Sequence, residues 1–175
     1  MRKWLAAALT AAVVAGGAKA ATRILTMQGM GPVHLGMTPK QVEKALGAKF
    51  KPMEDFQSAD CWQTSRADNV DADISYMIEQ GRITRIDIWR AKEGDRPDIA
   101  SAEGIGIGST EDQIKKAYGA KLKIELHPYE GEGGRYMSVM ATDKKSGMLF
   151  ETSHGKVVSF RIGVGSSLGY SEGCE

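Results

Sequence analysis

The sequence predicts an α+β fold made of two tandem repeats, each a short helix packed on an antiparallel sheet, after a cleaved signal peptide. Three observations predict it. A capped helix motif recurs 72 residues along the chain, segments that alternate apolar and polar residues follow each copy, and a glycine–basic turn recurs at an offset of about 74. Two separate matches at similar offsets indicate a duplication. The predicted organisation is a signal over 1–20, a first repeat over 21–96 and a second over 97–175.

Residues 1–20 have the composition of a removable secretory signal. Arg2 and Lys3 precede an uncharged run over 5–14, and Ala18-Lys19-Ala20 has the small-x-small pattern of a cleavage site. The apolar run is about half of the roughly 20 residues that a membrane-spanning helix needs, which favours a signal over an anchor. We therefore expect a periplasmic or secreted protein with no membrane span after signal removal.

The charge of the exported part argues against nucleic acid as a partner. Three of the 23 basic residues lie in the signal and none of the 22 acidic residues does, which leaves a net charge of −2. A slightly acidic domain without a basic cluster lacks the electrostatic footprint of a nucleic-acid binder.

The two helices are predicted by matching start and stop patterns. In each copy a Thr is followed three residues later by a Gln, which is a capping box, and a Gly follows the last apolar position, where a positive φ is needed. In the first copy Pro39 stands at the first helical position, where its missing N–H costs nothing. The residues that predict these caps are Thr38, Gln41 and Gly47 in the first copy and Thr110, Gln113 and Gly119 in the second.

Strands are predicted where the hydrophobic period changes to two. The predicted strands cover 50–53, 61–66, 73–79 and 82–89 in the first half, and 122–127, 135–141, 147–152 and 156–162 in the second. In the strand over 122–127, Leu122, Ile124 and Leu126 are expected on the buried face. The segment 91–103, with Pro97 and many charges, is predicted as a linker.

The two cysteines, Cys61 and Cys174, both lie in the exported part. An isolated even pair in an oxidising compartment predicts a disulfide, which would tie the carboxyl terminus to the first half. The alternative is two unpaired thiols.

The motif over 31–50, with its weaker copy over 104–122, resembles the β-lactamase inhibitor protein superfamily and the related small outer-membrane assembly lipoproteins (SmpA/OmlA type). The resemblance implies a short helix opening each unit and packing on an antiparallel sheet. The chain departs from it in two ways: one cysteine pair would link the two halves, and the lipidated cysteine of the assembly proteins is absent. No binding residue is transferred, because the shared motif is a structural helix.

The sequence shows no arrangement that indicates catalysis, a metal site or a cofactor. The three histidines, His34, His127 and His154, lack metal-ligand spacing, and no Gly-x-Ser-x-Gly occurs. The glycine-rich run over 163–169 follows a strand and precedes no helix, which favours a flexible turn over a phosphate-binding loop.

A possible ligand surface is predicted around the loop over 128–136. His127, expected on the polar face of its strand, lies close in sequence to Tyr129 and Tyr136, and Tyr170 lies near the terminal cysteine. Aromatic clusters at a sheet edge make good recognition surfaces, and ordinary packing is the alternative explanation.

The leading hypothesis is a non-enzymatic, inhibitor-like or protein-binding envelope module, whose partner is another envelope or extracellular protein held on the sheet face or the 128–136 loop. The second hypothesis is a cell-wall or glycan-acting enzyme that uses His127 with Glu151 or Asp143. The third is a purely structural envelope component.

Overall fold

The computed structural model describes residues 23–53, 58, 60–90, 92, 94 and 97–174. The predicted signal over 1–20 lies outside the described residues. The helices are α1 (Pro39–Leu46) and α2 (Glu111–Tyr118), and the strands are β1 (Arg23–Thr26), β2 (Gly29–Met30), β3 (Val33–His34), β4 (Phe50–Pro52), β5 (Cys61–Arg66), β6 (Ile74–Glu79), β7 (Arg82–Trp89), β8 (Ile99–Ser101), β9 (Lys123–His127), β10 (Gly131–Met140), β11 (Ser146–Ser153) and β12 (Lys156–Val164).

Eight strands form one antiparallel sheet in the order β4-β5-β6-β7-β12-β11-β10-β9. The predicted α+β class is confirmed, since two short helices accompany mostly antiparallel strands. The sequence predicted a sheet for each half. Instead, the last strands of the two halves, β7 and β12, pair with each other, so the two ribbons form a single sheet.

A second, four-stranded sheet has the order β3-β2-β1-β8. Its β1 and β8 are parallel, with Ile24 opposite Ala100, whereas only antiparallel pairing was expected. The predicted linker over 91–103 therefore contains a buried strand, β8. Three residues between charged segments are too few for a strand pattern to be recognised in the sequence.

Both helices begin with a capping box. The Thr38 hydroxyl accepts from the backbone N–H of Gln41, whose side chain accepts from the backbone N–H of Thr38, and Thr110 and Gln113 make the same pair of bonds. The first helix ends at Gly47 in the left-handed conformation. Gly119 also has a positive φ, but the chain continues from it into a 3-10 turn over Gly119–Lys121.

The residues before each helix dock on a strand in the same way in the two halves. Gly36 N–H donates to the Ile83 carbonyl, and Ile83 N–H donates to the Met37 carbonyl. Gly108, Val157 and Ser109 make the corresponding two bonds in the second half. These contacts join residues related by the offsets of 72 and 74; the duplication itself stays a prediction from the sequence match.

The core lies between the helices and one face of the large sheet. Val42 of α1 and Ile114 of α2 are fully buried there, and the Tyr118 ring lies 5.6 Å from the ring of Phe150 on β11. We call this the helix face of the sheet. Within the part of the chain that the structure describes, no helix is long and apolar enough to cross a membrane.

Candidate functional site

The face of the large sheet opposite the helices carries polar side chains in register across several strands. Because cross-strand partners share a face, Tyr136, Glu151, Ser159 and Trp89 form one row, and Ser138, Leu149, Arg161, Asp87 and Ser75 form the next. We call this the open face. These polar groups lie outside the hydrophobic core, because along each strand they alternate with apolar residues that point to the helix face.

The carboxyl-terminal residues 165–174, which we call the strap, cross the open face. They begin with a 3-10 turn over Gly165–Leu168. Leu168 is buried against Gly147 and Gly163, and a Cβ added at either glycine would lie within 3.0 Å of a Leu168 atom. The sequence predicted a flexible turn over 163–169. The turn is present as the 3-10 turn over Gly165–Leu168, and the absence of side chains at Gly147 and Gly163 makes room for Leu168.

Arg85 and the disulfide hold the strap in place. Nη1 of the buried Arg85 donates to the carbonyl oxygens of Ser167 and Tyr170 at 2.9 and 3.0 Å, while its Nε donates to Asp87 at 2.9 Å. The predicted disulfide between Cys61 and Cys174 is present and fixes the far end of the strap to β5. The strap is thus attached at both ends and in the middle.

A groove of about 330 Å³ lies between the strap and the open face. Trp89, Ser159 and Arg161 line it from the sheet, and Ser171 and Glu172 line it from the strap. The phenolic hydroxyl of Tyr129, from the loop after β9, donates to Glu172. The volume of the groove is at the lower end of the range typical of small-molecule sites.

Arg161 is the unusual residue of this groove. It is 7% exposed, and within the described part of the chain its Nε and Nη2 have no hydrogen-bond partner. Its Nη1 lies 3.9 Å from an Asp87 oxygen, and its guanidinium carbon lies 5.7 Å from the centre of the Tyr136 ring. Leaving buried donors unpaired costs free energy. Nε and Nη2 form one edge of the guanidinium, which is the edge that binds a carboxylate or phosphate in a bidentate manner.

A chain of hydrogen bonds lies beside Arg161. The Glu151 carboxylate is 2.9 Å from Nε2 of His127 through one oxygen and accepts from the Ser159 hydroxyl at 2.9 Å through the other. Nδ1 of His127 accepts from the backbone N–H groups of Tyr129 and Glu130. The ring proton therefore lies on Nε2 and points to Glu151.

This arrangement leaves His127 without a free basic nitrogen, because both ring nitrogens are occupied. Ser159 is bonded to Glu151 and not to a histidine, so it differs from an activated serine nucleophile. Asp143, the other partner considered for His127, lies in the turn at the opposite end of β10, where it accepts from the Lys145 N–H. The polar chain therefore orients Glu151 and leaves neither ring nitrogen of His127 without a hydrogen-bond partner.

The structure brings three of the four predicted surface residues together. His127 lies with its ring edge-on to Tyr136 at 4.9 Å and 6.0 Å from the ring of Tyr129. Burial raises the pKa of Tyr136, and the Glu151 carboxylate adds to the effect. Tyr170 lies apart on the strap, where its hydroxyl is 2.9 Å from the Ser166 hydroxyl.

His127 contacts Glu151 and Tyr136 on the open face, the polar side on which it was expected, but it is buried there, with only 6% of its surface exposed. The other two histidines, His34 and His154, are exposed. His127 is covered because the loop after β9 folds back over it and donates two N–H groups to its ring.

Sequence reasoning missed Arg85, Asp87, Trp89 and Arg161. A usable pattern was present: Arg85 and Asp87 alternate with isoleucines in β7, and Arg161 stands between Phe160 and Ile162 in β12, inside strands that are otherwise largely apolar. Such positions are costly unless the charges have partners. They could have indicated a polar face on an otherwise buried sheet.

Among the residues with described positions, no group of three or more His, Cys, Asp or Glu side chains converges to hold a metal ion. No family model, curated protein or solved structure matches the chain.

Proposed function

We propose that this protein is an exported, non-enzymatic binding module that receives a carboxylate of a partner protein in the groove between the strap and the open face. The observation behind the proposal is Arg161, a buried guanidinium with one unpaired edge at the groove. The disulfide supports an oxidising compartment, periplasmic or extracellular, for which such cross-links are typical.

The other charges of the groove favour an acidic group over a basic one. Asp87 is paired with Arg85, Glu151 accepts from Ser159, and Glu172 accepts from Tyr129. Each acid therefore already has a donor, whereas the Nε–Nη2 edge of Arg161 has no acceptor within the described residues. A carboxylate would satisfy that edge with two charge-assisted hydrogen bonds.

Access to Arg161 requires a small movement, since Nε and Nη2 are covered. The Tyr136 ring lies against the guanidinium, with its centre 5.7 Å from the guanidinium carbon. A movement of this ring requires neither the sheet nor the anchored strap to open. We expect the ligand to enter from the strap side, where Ser171 and Glu172 border the groove.

The proposal is tested by calorimetric titration with short peptides that end in a free carboxylate and with the same peptides amidated at that end. The native protein should bind the free acids, and amidation should remove the heat of binding. Arg161→Gln should weaken binding at least about tenfold, in the range expected for losing a charge-assisted bidentate pair. Arg161→Lys should restore little, because an ammonium lacks the planar fork.

Arg90→Gln is the matched control, because Arg90 is exposed at the end of the neighbouring strand. Equal binding of free and amidated peptides, or an Arg161→Gln variant that binds like the native protein, would show that the groove is not a carboxylate site. Capture of partners from an envelope extract, with the Arg161→Gln variant in parallel, then identifies the partner. Inhibition of β-lactamase is worth measuring on the strength of the inhibitor-like helix motif.

A further inference from the structure

The strand β9 forms one edge of the large sheet and exposes apolar side chains. Ile124 is 45% exposed and Leu126 is 59% exposed, although both were expected on the buried face. Ile124 stands opposite Met137 and Leu126 opposite Arg135, so both are on the helix face, beyond the cover of the helices. An edge strand has unpaired N–H and C=O groups, and exposed apolar residues on such an edge favour pairing with another strand.

The sequence of this edge is self-complementary when read antiparallel to itself. Leu122, Lys123, Ile124, Glu125 and Leu126 form a pattern that is symmetric about Ile124, with opposite charges at the two flanking positions. In an antiparallel pair of two identical strands centred on Ile124, Lys123 of each copy lies opposite Glu125 of the other. Leu122 of each copy lies opposite Leu126, and the two Ile124 side chains meet at the centre. Leu122 already has extended dihedrals, so the strand can continue through it.

We infer that two copies of the chain associate through β9, extending the sheet across a two-fold axis. A two-fold interface joins the same patch of both subunits. The pairing buries four exposed apolar side chains and forms two cross-strand ion pairs. Lys123 and Glu125 are both exposed and lie 2.9 Å apart within one chain, so they are on the same face and available to the partner. The edge lies three strands from Arg161, so the inference does not depend on the proposed function.

The test uses charge reversal and measures molar mass by light scattering during size-exclusion chromatography over a range of protein concentrations. The native exported protein should form a dimer. Lys123→Glu alone makes both positions acidic, and Glu125→Lys alone makes both basic. Each variant alone should dissociate at least about tenfold more readily, because like charges then lie directly opposite each other in both symmetric pairs.

Mixing the two single variants in equal amounts should restore the dimer, because an acidic edge then faces a basic one. Both variants lack the ion pair between positions 123 and 125 within one chain. A dimer restored by mixing them therefore depends on pairing between chains and not on that internal pair. The double exchange, Lys123→Glu with Glu125→Lys, should also form dimers. Thermal midpoints establish that each variant is folded. A native protein that stays monomeric at every concentration, or a mixture no more dimeric than its components, would overturn the inference; so would an edge that binds only a different protein.

Discussion

The buried charges of β7 have hydrogen-bond partners, and this explains how charged residues persist inside a strongly apolar strand, whereas the Ser75 and Thr84 hydroxyls have no partner among the described residues. Arg85 is the clearest case, because one carboxylate and two carbonyl oxygens accept from it. Arg161 is enclosed to a similar extent, yet one edge of its guanidinium has no acceptor among the described residues. The contrast between two arginines on adjacent strands is the reason for placing a ligand at the second.

Tyr76 provides a residue-scale prediction about pH. Burial, with a smaller contribution from the Asp71 charge, raises the pKa of Tyr76 from 10.0 to about 12. The folded state therefore holds the phenolic proton more tightly than the unfolded state, so this contribution to stability is complete below pH 10 and is lost as the pH rises towards 12.

Between pH 8 and pH 11 the native protein should thus lose about 1 kcal/mol of unfolding free energy that a Tyr76→Phe variant does not lose. Urea unfolding of the two proteins at both pH values measures the difference, and other titrating groups cancel in the comparison. Equal losses in the two proteins would mean that Tyr76 ionises as freely in the folded state as in the unfolded state.

At the scale of elements, the sequence predicted those parts that are determined by local chemistry. Both capping boxes follow from Thr and Gln at fixed spacing, and the bounds of β5 and β7 match the predicted segments, because short-range periodicity determines them. The side on which each β9 residue lies was predicted correctly, but the burial of its apolar residues was not. Leu126 is exposed and His127 is buried, because tertiary position at the sheet edge and the returning loop decide exposure there.

The candidate site was predicted only in part for the same reason. His127, Tyr129 and Tyr136 are close in sequence, and their clustering was foreseeable. Arg161 and Arg85 reach the groove through the β7–β12 pairing and the path of the strap, neither of which leaves a local pattern.

The seat of the strap yields an element-scale prediction. A Cβ on Gly163 would lie 3.0 Å from the Leu168 Cα and 3.1 Å from its nitrogen. The strap backbone is held in place there. The Ser167 hydroxyl shares its proton between the Thr84 and Val164 carbonyl oxygens, and Arg85 donates to the Ser167 carbonyl oxygen. Gly163→Ala should therefore lower the unfolding free energy by about 1–3 kcal/mol, as overpacking does.

Gly169→Ala is the control within the same segment, since the nearest non-adjacent atom to its Cβ would be at 3.6 Å and its φ of −91° suits any residue. Urea denaturation of both variants measures the effect. If the two substitutions cost the same, Leu168 does not depend on the absence of a side chain at Gly163.

At the scale of the whole molecule, three of the connections between the described parts of the two halves join segments far apart in sequence. β7 pairs with β12 in the large sheet, β1 pairs with β8 in the small sheet, and the disulfide joins residues separated by 113 positions. Because both sheets span the two halves, neither half has a complete set of strand partners alone. The described residues are thus expected to unfold as one cooperative unit.

The disulfide gives the prediction at this scale. Closing a loop of this length restricts the unfolded chain, and the chain-entropy model assigns about 4–5 kcal/mol to it, with measured values for native disulfides typically about 2–5 kcal/mol. The double variant Cys61→Ser with Cys174→Ser should therefore lose a few kcal/mol of unfolding free energy. The strap should separate only at its far end, because Leu168 and the Arg85 contacts still hold its first part.

Hydrogen exchange of the variant should show faster exchange over 171–174 and retained protection at 167–168. Digestion of the native protein without reductant should yield the two cysteine peptides joined, which establishes the starting state. A variant as stable as the native protein would show that the two sheets alone confine the chain, and uniform loss of protection along 165–174 would show that the sulfur bridge, rather than Arg85 and Leu168, keeps the groove covered.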